Sequence, residues 1–176
     1  ITGASSGIGE ALAKQLAASE PQTLVLVARR ADKLALLAQD LKTQHGVRVE
    51  VIGLDLEKPG ASAELIQAVA ALGLEIDTLI NNAGFGVNDL LADMPLDRVQ
   101  GMMQLNMVAL TELCHAVLPG MRSRKQGRIM NIASVAAFQA CPRFAVYGAT
   151  KAYVLPMSEA LAAEEKKNGI KVIAVC

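Results

Sequence analysis

Thr23-Leu24-Val25-Leu26-Val27-Ala28 is an unbroken apolar run of strand length. A strand without polar alternation is one covered on both faces, as in a parallel sheet between helical layers. Upstream, Thr2-Gly3-Ala4-Ser5-Ser6-Gly7-Ile8-Gly9 leads into a helix predicted over Glu10–Ala18, with Ile8, Ala11, Leu12 and Leu16 at helical spacing. Downstream, the run ends in Arg29-Arg30, and a helix opens at Ala31-Asp32 with Leu34, Leu37, Ala38 and Leu41 on one stripe. Val47–Leu54 reads as the next strand and ends at Asp55. Pro59–Gly73 reads as a helix that turns Leu65, Ile66, Val69 and Leu72 inward. Ile76–Ile80 is another buried strand, stopping at Asn81-Asn82-Ala83-Gly84. A long helix runs from Leu96 towards Met121 with Val99, Met103, Leu110, Leu113 and Val117 facing the core, and Asn106 falls on the same stripe. Arg128–Ala133 and Lys171–Val175 complete the strands. This alternation predicts an α/β fold with a doubly wound parallel sheet, in a single domain over residues 1–176.

The bulk composition narrows the classes of partner. Apolar residues make up 52% of the 176, and 17 basic residues balance 17 acidic ones, so no electrostatic case arises for nucleic acid or an anionic membrane. Aromatics are 3% with no Trp, which leaves little for stacking bases. Cys114, Cys141 and Cys176 are odd in number and lack C-x-x-C spacing, so they read as small hydrophobes in a reducing, cytoplasmic compartment. His45 and His115 have no partner at metal-ligand spacing, and no metal is expected. No apolar run is long enough to span a membrane. The chain begins at Ile1, inside its first motif, so a piece of a longer protein is expected, with any targeting or anchoring segment upstream of it.

Several stretches have the makings of a site. The glycine-rich turn ahead of a helix is a phosphate cradle: unpaired N–H groups and the helix dipole face the anion, and absent side chains let it approach. Its spacing is G-x-x-x-G-x-G, and a plain Gly/Ser helix entry would look similar. Tyr147 and Lys151 are four residues apart, hence on one helix face, where an ammonium favours the phenolate of a proton-exchanging tyrosine. Asn106 is an amide aimed into a core, which must find hydrogen-bond partners or cost about 1–3 kcal/mol. Ser134 follows a strand at the carboxyl edge of the sheet, where open α/β folds bind ligands, although a serine there is also an ordinary turn residue. Arg122-Ser-Arg-Lys125 reads as a solvated helix end.

Taken together and in order, Thr2–Gly9, Asp55, Asn81-Asn82-Ala83-Gly84, Asn106, Ser134 and Tyr147-x-x-x-Lys151 resemble the tyrosine-dependent short-chain dehydrogenase/reductase family over nearly the whole chain. The resemblance implies a Rossmann-like three-layer fold with a nicotinamide dinucleotide across the strand ends, and hydride transfer between it and a ketone or secondary alcohol. It implies that Ser134 holds the carbonyl oxygen and Tyr147 exchanges the proton. Lys151 would assist Tyr147 and hold the nicotinamide ribose, and Asn106 would bind a water leading from Lys151 to solvent. The turn residues Gly3, Ser5, Ser6, Gly7, Ile8 and Gly9 would take the phosphates. Asp55 would accept from the adenine amino group, Asn81 and Gly84 would offer backbone near the adenosine and nicotinamide riboses, and Leu56 and Ala83 would also bind the cofactor. No acidic residue ends the second family strand: Ala28 stands there, followed by Arg29 and Arg30. A guanidinium forks onto a 2′-phosphate, so NADP(H) is expected over NAD(H), mainly through Arg29, with Arg30 beside it.

The resemblance also implies a homodimer or homotetramer. Substrate choice would lie in Phe85–Pro95 and Ala136–Phe144, where Phe85, Val87 and a Met-rich helix hint at an apolar ketone. Pro156 departs from an ideal helix and is expected to kink it beyond the Tyr147 turn. Only Ile1-Thr2 stands where the family has its first, central strand, and the family's C-terminal substrate segment would follow Cys176. Two rival readings remain beside the enzyme: a non-catalytic NADP-binding sensor or scaffold on the same fold, and an inactive fragment.

Overall fold

The apolar runs and stripes resolve, in a computed structural model that describes residues 1–19 and 23–176, into five parallel strands and their crossover helices. In chain order these are α1 (Gly7–Ser19), β1 (Thr23–Ala28), α2 (Ala31–His45), β2 (Arg48–Gly53), α3 (Ala61–Ala71) and β3 (Thr78–Asn81). Then follow α4 (Leu96–Met103), α5 (Leu110–Arg124), β4 (Gly127–Ile132), α6 (Ala145–Glu165) and β5 (Ile170–Val175). β1 pairs with β2, and β3, β4 and β5 pair in that order, all in parallel register.

Residues Ile1–Ala4 join the two groups of strands. Thr2 N donates to Ile80 O on β3 at 3.0 Å, while Val27 N donates to Ile1 O and Ala4 N to Val27 O on the β1 side. Thr2 also makes a parallel bridge to Val27. The short N-terminal stretch thus stands in the middle of the sheet, where the resemblance puts a first strand.

The quoted run behaves as its pattern demands. Leu24 and Leu26 enter one core with α1 and α2, whereas Val25 and Val27 enter the other beneath α3, α5 and α6. A strand that feeds two cores cannot alternate polar with apolar, which is the physical content of the doubly wound layout.

Three inward faces differ from expectation. On α1, Gly9, Ala13 and Ala17 are buried while Ile8 is 59% exposed. The helix lies too close to the sheet for larger groups: a side-chain carbon on Gly9 would run into Asn82 Nδ2 and the Gly3 carbonyl. On α3, Leu72 lies at the C-cap and is 36% exposed, because the helix stops at Ala71. Between α4 and α5 the chain passes through a π-helical segment, Gln104–Ala109. Such a segment inserts an extra residue and shifts the stripe upstream of it by one. Met102 is accordingly fully buried and Met103 exposed, while Leu110, Leu113 and Val117 keep their expected place.

Two local features complete the elements. α6 continues as one helix through Pro156 to Glu165. Arg122 pairs with the buried Glu165, and Arg124 bonds Glu75 and the Ile76 carbonyl, so this basic helix end ties elements together instead of standing free in solvent. Among the described residues, no helix is long and apolar enough to cross a membrane.

Candidate active site

All five strands release their carboxyl ends onto one cleft of about 860 Å³. Parallel strands aim their chain exits at one edge, so the residues just after each strand become neighbours although they are far apart in sequence. Arg29 and Arg30 follow β1, Asp55 follows β2, Asn82–Gly84 follow β3, Ser134 follows β4 and Cys176 follows β5, and all line the cleft. Gly3, Ser5, Ser6 and Ile8 form its floor at the start of α1.

The glycine-rich turn is tied down from behind. Thr2 Oγ1 accepts from Asn82 N and Ala83 N at 3.0 Å each, and Asn82 Nδ2 donates to the Thr2 and Gly3 carbonyls at 3.0 and 3.2 Å. The turn at the end of β3 therefore holds the turn before α1, leaving the front of the latter open to the cleft.

At the other end, Tyr147 and Lys151 lie one turn apart near the start of α6. Lys151 Nζ is 5.9 Å from the centre of the Tyr147 ring and donates to the Ile132 carbonyl at 2.6 Å. Lys151 is only 5% exposed, and burial pushes its ammonium down to about 8. Ser134 Oγ accepts from Ala136 N at 3.2 Å, which leaves its hydroxyl hydrogen for another acceptor in the cleft. Phe144 meets the Tyr147 ring edge-on at 5.9 Å between centroids.

Asn106, on the π-helical segment, is buried and completely engaged as a donor. Its Nδ2 donates to Phe85 O at 2.9 Å and Thr150 Oγ1 at 3.0 Å, and its Oδ1 accepts from Phe85 N at 3.1 Å. Thr150 in turn donates to Tyr147 O at 2.8 Å. The inward amide finds protein partners, and they run from the Phe85 loop to the Tyr147 turn.

Two pairs of neighbouring residues divide between core, cleft and partner. The Asn81 side chain points into the core, where Nδ2 donates to Asn131 Oδ1 at 3.0 Å, so only its backbone is left for the expected ribose contact, and Asn82 lines the cleft beside it. Both asparagines follow an apolar run, and only the last pleat of β3 decides which faces inward. The two arginines also divide their work. Arg30 spreads over the glycine-rich turn, with Nη2 at 2.8 Å from Ser5 Oγ and 2.7 Å from Ser6 Oγ, whereas Arg29 Nη1 is paired with Glu57 Oε1 at 2.8 Å. Asp55 keeps one oxygen on Glu57 N at 3.1 Å.

Reading the sequence missed Thr2, Asn82, Glu57, Gly86 and Thr150. Of these Gly86 left a signal, a glycine beside an aromatic in a loop: a side-chain carbon there would stand 2.8 Å from Tyr147 Cδ2. Thr2 and Asn82 stand inside the Thr2–Gly9 and Asn81–Gly84 motifs without a role read for either, whereas Glu57 and Thr150 act through partners distant in sequence and left no signal.

A family model described as short chain dehydrogenase matches residues 1–176. A very-long-chain 3-oxoacyl-CoA reductase of Anas platyrhynchos is 36% identical over 99% of this chain, and the chain spans 57% of that protein's length. Among solved structures, a short-chain dehydrogenase from Sphingobium yanoikuyae in complex with NADPH is 38% identical, with a TM-score of 0.93 over 99% of this chain and 67% of its own. A bulky-bulky ketone specific alcohol dehydrogenase from Comamonas testosteroni is 36% identical, with a TM-score of 0.93 over 99% of this chain and 70% of its own.

Proposed function

The chain belongs to the short-chain dehydrogenase family, and from that premise we propose that it transfers a hydride between NADP(H) and a ketone or secondary alcohol, in a single catalytic domain. The observation that carries this reading is the cluster at one end of the cleft: Tyr147, the buried ammonium of Lys151 and a serine hydroxyl with a free hydrogen, all within the same walls.

The fit to a dinucleotide rests on the opposite end. Close packing at Gly9 and the Thr2–Asn82 ties leave the turn before α1 uncovered, and the N-terminus of that helix faces the space. Gly3, Ser5, Ser6, Gly7, Ile8 and Gly9 would hold the pyrophosphate; Asp55, Leu56, Ala83 and Gly84 would lie along the adenosine and riboses. Arg29 and Arg30 would receive a 2′-phosphate, which an acidic residue at Ala28 would have repelled. When bound, the nicotinamide supplies or takes up the hydride.

The chain's own groups do the rest. Ser134 donates its hydroxyl hydrogen to the carbonyl oxygen, which orients the carbonyl and polarises it. Tyr147 gives its phenolic proton to that oxygen as charge develops there, and recovers it in the oxidative direction. Lys151, desolvated against the end of β4, stabilises the phenolate left behind. Asn106 fixes the Phe85 loop and the Thr150 turn, so Tyr147 and its surroundings stay in register. A homodimer or homotetramer formed through α5 and α6 belongs to the same proposal. The substrates in the relatives' names, 3-oxoacyl-CoA and bulky ketones, suggest an apolar ketone for this cleft.

The test is a panel of carbonyl compounds with the intact protein, following NADPH absorbance. Oxidation of NADPH by a ketone is expected. Tight NADPH binding without turnover of any compound would favour the sensor or scaffold reading.

A further inference from the structure

Glu57 lies in the short turn after β2, with its side chain only 16% exposed. Its backbone N–H is bonded to Asp55 Oδ1 at 3.1 Å, and its carboxylate packs against Gly101 on α4, where a side-chain carbon would come within 2.9 Å of Oε2. From that place Oε1 accepts from Arg29 Nη1 at 2.8 Å, while Arg98 Nη1 is 3.8 Å from Oε2. Arg98 also stacks over the Phe85 ring, with its Cζ 4.5 Å from the ring centre. The carboxylate is therefore fixed from three sides, and Arg29 is its more solvent-exposed partner, 60% exposed.

We propose that Glu57 sets cofactor discrimination by occupying Arg29 as an internal stand-in for the 2′-phosphate. This rests on the reading of the cleft as an NADP(H) site. NADPH must draw Arg29 from Glu57, or share it, and brings a phosphate near a held carboxylate. NADH leaves the pair intact and meets no unpaired guanidinium. Glu57 thereby narrows the preference that Arg29 and Arg30 create. It acts through Arg29 and is a positioning residue, separate from the groups that touch the reacting atoms. Arg98 can retain the carboxylate when Arg29 leaves, so the exchange does not strand a partly buried charge.

The experiment is a titration of the intact protein with NADPH and with NADH, by ligand fluorescence and calorimetry, for wild type, Glu57→Gln, Arg29→Ala and the double variant. Glu57→Gln is expected to tighten NADPH by about three- to tenfold, the size of a partly exposed ion pair, and to leave NADH within about twofold. In the Arg29→Ala background the same change should move NADPH by less than about twofold, since the partner through which Glu57 acts is gone. Glu57→Asp, too short to span the contact, should also tighten NADPH and serves if the amide variant does not fold. Unchanged or weaker NADPH binding in Glu57→Gln, or an equal gain for NADH, would overturn the proposal. Failure of the underlying reading shows differently: Arg29→Ala would then leave NADPH affinity unaltered with Glu57 in place.

Discussion

Lys151 carries an ammonium into a position where the protein offers it one carbonyl, that of Ile132, and little water. Its folded pKa of about 8 is below the ordinary 10.5, so at neutral pH the protein bears the cost of a buried charge. The sign follows from linkage. Between 8 and 10.5 the unfolded chain binds more protons at this group than the folded one, so stability rises with pH across that window. Below 8 both states are protonated and the penalty is constant. Lys151→Met should therefore melt at a higher temperature than wild type at pH 7, by up to about 3 kcal/mol in stability, while losing turnover. The gap should shrink as pH rises through the window; thermal melts across that range check it. Tyr147 and Lys151 were legible in the sequence because two residues at helical spacing suffice to share a face. Glu57 was not, because its partners come from the ends of β1 and the start of α4, and nothing in a turn's sequence announces them.

At the scale of elements, the loop over residues 85–95 is held to the start of α6 at two points. Asn106 clasps the Phe85 backbone, and Arg143, just before α6, donates to Asn88 Oδ1 at 2.8 Å while its own carbonyl accepts from Asp89 N at 2.9 Å. Arg143 has φ of 67°, a left-handed conformation that costs a side-chain-bearing residue on the order of 1 kcal/mol. Arg143→Gly should relieve that strain while losing the side-chain contact, and so melt close to wild type. Arg143→Ala keeps the strain without the contact and should be less stable than Arg143→Gly by about 1 kcal/mol. Asn106→Ala leaves the Phe85 N–H and C=O unpaired and should cost about 2–4 kcal/mol, together with a fall in kcat, as read by denaturation and initial rates. The strands and helices themselves were readable, since unbroken apolar runs and heptad-like stripes are direct images of burial. The π-helical segment was not: an i→i+5 step leaves no mark in the apolar pattern except the one-residue slip between Met102 and Met103.

For the molecule as a whole, 17 cations and 17 anions cancel, yet one end of the cleft has Arg29 and the neighbouring Arg98 on Glu57, with Arg30 beside them on Ser5 and Ser6. That local surplus, and no net charge, is what should select a 2′-phosphate. Arg29→Asp should lower kcat/KM with NADPH by at least about tenfold and leave NADH less affected or improved, in parallel initial-rate assays. The parallel sheet brings this charged end and the Tyr147 end to the same edge, so one chain direction would serve both the proposed cofactor choice and the proposed chemistry. The central claim is that Tyr147 moves the proton. The most direct measurement compares wild type with Tyr147→Phe in the intact protein, recording ketone-dependent NADPH oxidation and NADPH affinity on the same samples. Turnover should fall by at least about a hundredfold while NADPH binds with near wild-type affinity; a variant that oxidises NADPH at close to the wild-type rate would contradict the account.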